Sequence, residues 1–183
     1  SVVDGIPLAW TEQGPEGGVP LVLVHGISES HRTWAGVAPR LARTRRVLAL
    51  DLPMTGPRGT PSHPHTLAWH ARVVDRWLEC LGLPLVDFVG HSYGGGVGQW
   101  LLLENRARVR RLALVASGGF GREVTPWLRI VSVPRVFELL AGPAFALGAR
   151  VAGSMGTAGG AVWREWLRHN GQPGAVTTLH RTV

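Results

Sequence analysis

One serine in this chain stands where a serine can act as a nucleophile. Gly90-His91-Ser92-Tyr93-Gly94 sets Ser92 between glycines, directly after the apolar run VDFV and directly before a stretch of helical character. At such a strand-to-helix turn the hydroxyl projects above the sheet, and the flanking glycines remove side chains that would clash in so sharp a bend. The helix that starts there aims its first amides and its dipole at the place where a carbonyl oxygen would gather charge. The competing reading makes Ser92 an ordinary N-cap on a glycine-rich helix.

A second stretch carries matching chemistry. His25-Gly26-Ile27 closes the apolar run PLVLV, so it is expected at the same carboxyl edge of a sheet as Ser92, where open α/β sheets bind ligands. Gly26 lets the backbone turn so that the Ile27 and Tyr93 amides can pair as an oxyanion hole, while His25 is expected to hold that loop by hydrogen bonds. Loss of one such donor typically costs on the order of 3 kcal/mol in the transition state.

The elements that must position these residues follow from pattern. PLVLVHG and RRVLALDLP read as buried strands, and LVDFVG and RRLALVAS as a third and a fourth strand. Val2 to Trp10 reads as two short extended pieces around Asp4-Gly5, and TEQGPEGG as a polar turn. Ser30 to Ala42 has helical spacing at Trp34, Val37, Ala38 and Leu41, with Pro39 as a kink or early end. Thr66 is the expected N-cap of a helix with Leu67, Ala71, Val74, Leu78 and Leu81 on one face, stopped by Gly82 and Pro84. SYGGGVGQWLLLENRA reads as a further helix. This alternation predicts an α/β fold, a mostly parallel sheet with flanking helices, over residues 1–121. No buried strand is legible in residues 122–183, which read as a helical cap over the sheet. Its Trp127, Phe137, Leu140 and Trp163 are candidates to line an apolar pocket.

Composition narrows the function classes. A chain of 183 residues, 45% hydrophobic and 17% charged, is that of a globular domain. No apolar run approaches the roughly 20 residues of a membrane span. The start, SVVDGIPLAW, lacks the basic and apolar regions of a signal peptide, so a cytoplasmic location is expected. The single cysteine, Cys80, excludes an internal disulfide and a multi-cysteine zinc cage, and is expected as a small buried hydrophobe. All nineteen basic residues are arginine, and without lysine no Walker A motif can exist. Arg106, Arg108, Arg110 and Arg111 fall where a helix should end, which suits its dipole, and no interleaved aromatics turn them into a nucleic-acid groove. His63, His65 and His70 lie without an acidic cluster and read as solvated rather than as metal ligands. Neither metal nor cofactor is implied.

VHG at 24–26, Trp34, the DLPMTG box at 51–56 and GHSYGG at 90–95, in that order, resemble the α/β-hydrolase fold family in its esterase, lipase-like and C–C-bond hydrolase branch. The resemblance covers residues 1–120 and implies Ser92 as nucleophile with Ile27 and Tyr93 amides as oxyanion donors. In the family the box usually reads DxPGxG; here Met54 replaces the first glycine while Gly56 remains. Relatives that open epoxides or remove halides carry aspartate at the position of Ser92, which disfavours those activities.

The family's order is serine, then acid, then histidine. After Ser92 the sequence has no aspartate; its acids are Glu104, Glu123, Glu138 and Glu165 and its histidines His169 and His180. Glu165 and His169 are four apart and read as a surface pair. His91, next to Ser92, is expected to diverge from it and pack. The triad acid and base are therefore expected beyond Val183, the chain ending before the last strands. Residues 1–183 alone should show little esterase activity and an exposed, association-prone sheet edge. The expected activity is that of a serine hydrolase on small apolar ester-like, acyl or C–C substrates. The alternatives are a non-catalytic small-ligand-binding protein and a cofactor-free perhydrolase or haloperoxidase.

Overall fold

A computed structural model describes residues 2–27, 29–53 and 65–118. Three of the apolar runs become strands buried along most of their length, whereas in the fourth, VRRLALV, only Val109 is buried. β4 (Leu21–Val24), β5 (Val47–Leu50), β6 (Val86–His91) and β7 (Val109–Val115) run parallel, and β3 (Trp10–Gln13) joins antiparallel to β5, giving the order β3-β5-β4-β6-β7. β1 (Val2–Val3) and β2 (Ile6–Pro7) form a separate hairpin. Its turn residues Asp4 and Gly5 take φ of 48° and 80°, as the hairpin turns that match strand twist require.

Alternation along the strands divides the core in two. Val22, Val24, Leu48, Leu50, Val86 and Phe88 face one side, where they pack with Trp77, Leu78, Val97 and Leu101 of helices α2 (Leu67–Cys80) and α3 (Tyr93–Glu104). Leu21, Leu23, Val47 and Ala49 face the other and pack with Trp34 and Ala38. Thr66 caps α2 as expected, its hydroxyl accepting from the Trp69 amide at 3.1 Å.

Five local expectations are corrected. Thr11, Glu12 and Gln13 are not in a turn but on β3, where a polar run is tolerated because β3 is an edge strand with one side toward solvent; the chain turns at Gly14, φ 94°. The helix expected over 30–42 is broken into a 3-10 turn at His31–Trp34 and a short α1 (Ala38–Leu41). Pro39 lies in the first turn of α1, where its missing N–H costs nothing, so it opens a helix rather than ending one. Cys80 is exposed, because the buried stripe of α2 runs through Ala71, Val74 and Leu78 and the last residue has turned past it. His65 and His70 are buried rather than solvated, His70 lying on the core face of α2.

The basic residues serve ion pairs more than a helix dipole. Asp87, buried at the start of β6, accepts from Arg110 Nε and Nη2 at 2.8 Å each and from Arg45 Nη2 at 2.7 Å. Those bonds, Arg110's first, outweigh burial and hold its carboxyl down to about 2. Arg108 Nε donates to Asp75 at 2.5 Å and its Nη1 to the Leu83 carbonyl at 2.9 Å. Among the described residues β7 pairs only with β6, and Trp100 and Leu103 of α3 are exposed. The expected cap, with Trp127, Phe137, Leu140 and Trp163, and the Met54 and Gly56 positions lie outside the described residues.

Candidate active site

Strand order brings the two motifs together. From β4 the chain crosses on the Trp34 side to β5, whereas from β6 it crosses on the opposite side through α3 to β7. The connections leaving β4 and β6 thus diverge, the arrangement at whose carboxyl ends open α/β sheets bind ligands. The register pairs Val24 with Gly90, so His25 and Gly26 run on beside His91 and Ser92.

Ser92 has φ 50° and ψ −113°, a conformation that L side chains rarely adopt, and its side chain makes no capping hydrogen bond to α3. Ser92 therefore does not serve α3 as a side-chain N-cap. Backbone bonds hold the bend, with the Ser92 amide donating to the Val115 carbonyl at 2.9 Å and the Gly95 amide to the Ser92 carbonyl at 3.1 Å.

Close approach explains the glycines around it. A Cβ on Gly94 would collide with the Val24 carbonyl oxygen and lie 2.5 Å from that of His25, and one on Gly90 would lie 2.5 Å from the Gly94 carbonyl carbon. On the facing loop a Cβ at Gly26 would come within 3.2 Å of the Ser92 Cβ and 3.1 Å of His91 Nδ1. The loop after β4 thus reaches the serine because position 26 has no side chain. Ile27, half-buried against the core beside α2 and α3, follows directly.

His25 is fully engaged. Its Nε2 accepts from the Leu52 amide at 3.0 Å, so its Nδ1 carries the proton and donates to the Gly26 carbonyl at 2.7 Å. It ties the β4 loop to the segment after β5 and has no nitrogen left to take a proton from Ser92. His91 diverges from Ser92, its Nδ1 meeting Glu29 Oε2 at 3.1 Å. Tyr93 sends its hydroxyl the other way, into the core, donating to the His65 carbonyl at 3.0 Å and lying 3.0 Å from His70 Nδ1. Burial pushes the Tyr93 phenol up, and burial first, then the neighbouring His65 and His25, pushes His70 down to about 3 despite the Thr66 carbonyl, so His70 stays neutral.

Two polar partnerships escape sequence reasoning. Glu29 gathers Gly26, Thr33 and His91. Asp51, first residue of the DLP box, accepts from the His31 amide at 2.5 Å and from its Nδ1 at 2.9 Å, fixing the turn that leads to Trp34. An acid three residues after Gly26, in HGISES, was the available signal for the first, but its partner His91 lies 62 residues away.

A family model described as alpha/beta hydrolase fold matches residues 19–145. The chain belongs to the α/β-hydrolase fold family. It is 38% identical over 122 residues to the dihydrolipoyllysine-residue acetyltransferase component of the acetoin cleaving system of Pseudomonas putida, covering 67% of this chain and 33% of that protein. It is 36% identical over 136 residues to the 2-hydroxy-6-oxo-2,4-heptadienoate hydrolase of another Pseudomonas putida strain, covering 67% and 48%. Of solved structures, wild-type Cfl2 from Burkholderia cenocepacia matches with a TM-score of 0.81 and 24% identity over 98% of this chain and 69% of that one, a likeness of fold. The α/β-hydrolase chain described here thus spans between a third and a half of the length of these two curated relatives.

Proposed function

We propose that Ser92 is the nucleophile of a serine hydrolase acting on carboxylic esters or related acyl or C–C substrates. The observation that carries this reading is the backbone of Ser92: a non-glycine residue at φ 50°, free of capping duty, at the point where the connections from β4 and β6 diverge. Such a conformation costs of order 1–3 kcal/mol and persists where function needs the side chain it presents. The relative named 2-hydroxy-6-oxo-2,4-heptadienoate hydrolase supports hydrolysis as the reaction class.

In this mechanism Ser92 Oγ attacks the substrate carbonyl carbon, and its proton passes to a histidine base. The carbonyl oxygen gains the electron pair and accepts N–H from Ile27 and Tyr93. Collapse of that intermediate returns the pair, expels the leaving group with the proton, and leaves an acyl-enzyme that water hydrolyses by the same steps. His25 cannot be the base because both ring nitrogens are bonded. No aspartate follows Ser92 in residues 93–183, and no acid or base is assigned to the triad among them.

A fluorophosphonate is the direct test. In the full-length protein the Ser92 Oγ–P bond should form as P–F breaks and fluoride leaves, and Ser92→Ala should abolish labelling. Absence of labelling in the full-length protein sinks the proposal in favour of a ligand-binding protein on the same fold.

A further inference from the structure

The orientation of the proposed oxyanion donor at Ile27 is decided one residue earlier. The Gly26 carbonyl and the Ile27 N–H belong to one planar trans peptide unit and point in opposite directions, so whatever holds the Gly26 oxygen aims the Ile27 hydrogen. That oxygen accepts from His25 Nδ1 at 2.7 Å and from the Glu29 amide at 3.3 Å. The Gly26 amide in turn donates to Glu29 Oε2 at 2.9 Å. Glu29 therefore closes the turn from both sides, through its own backbone and through its carboxylate.

The same oxygen reaches across to the nucleophile's strand. Glu29 Oε2 also accepts from Thr33 Oγ1 at 3.1 Å and lies 3.1 Å from His91 Nδ1, the residue preceding Ser92. Both side chains are about a quarter exposed, so the bond is only partly shielded from water. An ionised carboxylate is acceptor-only with room for several donors, and bonds to it are shorter and stronger than neutral ones. All three groups converge on the bare Cα of Gly26, which a Cβ would crowd at 3.1 Å from Glu29 Oε2, 3.1 Å from His91 Nδ1 and 3.2 Å from Ser92 Cβ.

We infer that Glu29, bridged to His91, is a positioning residue that locks the Gly26–Ile27 peptide against the Ser92 elbow and so sets the oxyanion donor. This rests on Ser92 and the Ile27 amide acting as described above. Glu29 touches neither substrate nor reacting atoms; it acts through the Gly26 peptide. A displacement of about 1 Å in such a donor is worth up to about a hundredfold in rate.

The test is the rate of Ser92 phosphonylation in the full-length protein, resolved into the maximal inactivation rate and the inhibitor's binding constant. Glu29→Ala should lower the maximal rate about ten- to hundredfold with the binding constant within about twofold, because the donor serves the transition state more than the encounter. Glu29→Gln keeps an oxygen acceptor for Gly26 and should recover most of the loss. His91→Leu, which removes the bridge from the other side, should resemble Glu29→Ala, and the double variant should be no worse than the poorer single one. A merely structural role predicts the contrary: a lower thermal midpoint for Glu29→Ala with the maximal rate intact, and additive losses in the double variant. Either result overturns the inference. If Glu29→Ala does not fold, His91→Leu reads the same bridge alone. Wild type that fails to label removes the Ser92 reading and this inference together, whereas normal labelling of wild type and of both single variants removes the inference alone.

Discussion

Replacing Ser92 by glycine should make the protein more stable while removing the hydroxyl on which the proposed chemistry depends. At φ 50° and ψ −113° Ser92 occupies the region of the first central residue of a type II′ turn, where glycine dominates because a Cβ clashes with the neighbouring carbonyls. The strain of a non-glycine residue there is about 2 kcal/mol, and Ser92→Gly removes it. Against this stands the larger freedom of glycine in the unfolded chain, about 1 kcal/mol. The side chain makes no capping bond whose loss would enter the balance. The net gain is about 1 kcal/mol, which for a urea dependence near 2 kcal/mol per molar raises the unfolding midpoint by about 0.5 M. Ser92→Ala keeps the Cβ and hence the strain, and should stay within about 0.5 kcal/mol of wild type. Equilibrium urea unfolding of the three proteins, followed by tryptophan fluorescence, reads the order directly. An N-cap serine gives the opposite sign, since alanine then costs about 1 kcal/mol and glycine a few tenths. A Ser92→Gly midpoint at or below that of wild type would refute the strained-elbow argument.

Other perturbations test the parts around it. His70 is held down to about 3 when folded but titrates near 6.5 when unfolded, so the unfolded chain takes up a proton the folded one refuses as pH falls through that window. Stability should drop by about 2 kcal/mol between pH 8 and pH 5 on this account alone, and His70→Phe should flatten the urea-midpoint profile by that amount; an unchanged slope speaks against the buried neutral imidazole. Gly94→Ala puts a Cβ against the Val24 and His25 carbonyls, backbone that cannot give way, and should lower stability by about 3 kcal/mol in urea and suppress Ser92 labelling. Asp87→Asn weakens a buried carboxylate held by Arg110 and Arg45 and should cost about 2 kcal/mol at pH 7, with the difference shrinking toward pH 2 as the native carboxyl protonates.

Much of the architecture is legible in residue pattern because each signal is local. Three apolar runs are satisfied as strands covered on both faces, and Thr66 with the Leu67, Ala71, Val74 and Leu78 spacing defines α2 at both its cap and its buried stripe. Local signals mislead where a neighbour outweighs them. The polar WTEQ run becomes a strand because β5 offers it an antiparallel edge, and His65 and His70, in a sequence that looks solvated, are buried where α2 meets Tyr93.

At the site, the sequence by itself determines that a serine stands between glycines at a strand-to-helix junction, that a His-Gly turn ends an earlier strand, and that no aspartate follows Ser92 up to Val183. Those facts need only residue types and their spacing along the chain. Tertiary structure decides that the two turns meet, because strand order sets β4 beside β6 and the register carries Gly26 to Ser92. It also decides which side chains hold them together. The bonds of His25 to Leu52 and of His91 to Glu29 join residues far apart in the chain, and pairings of that kind depend on where the sheet folds the backbone, which no local pattern encodes.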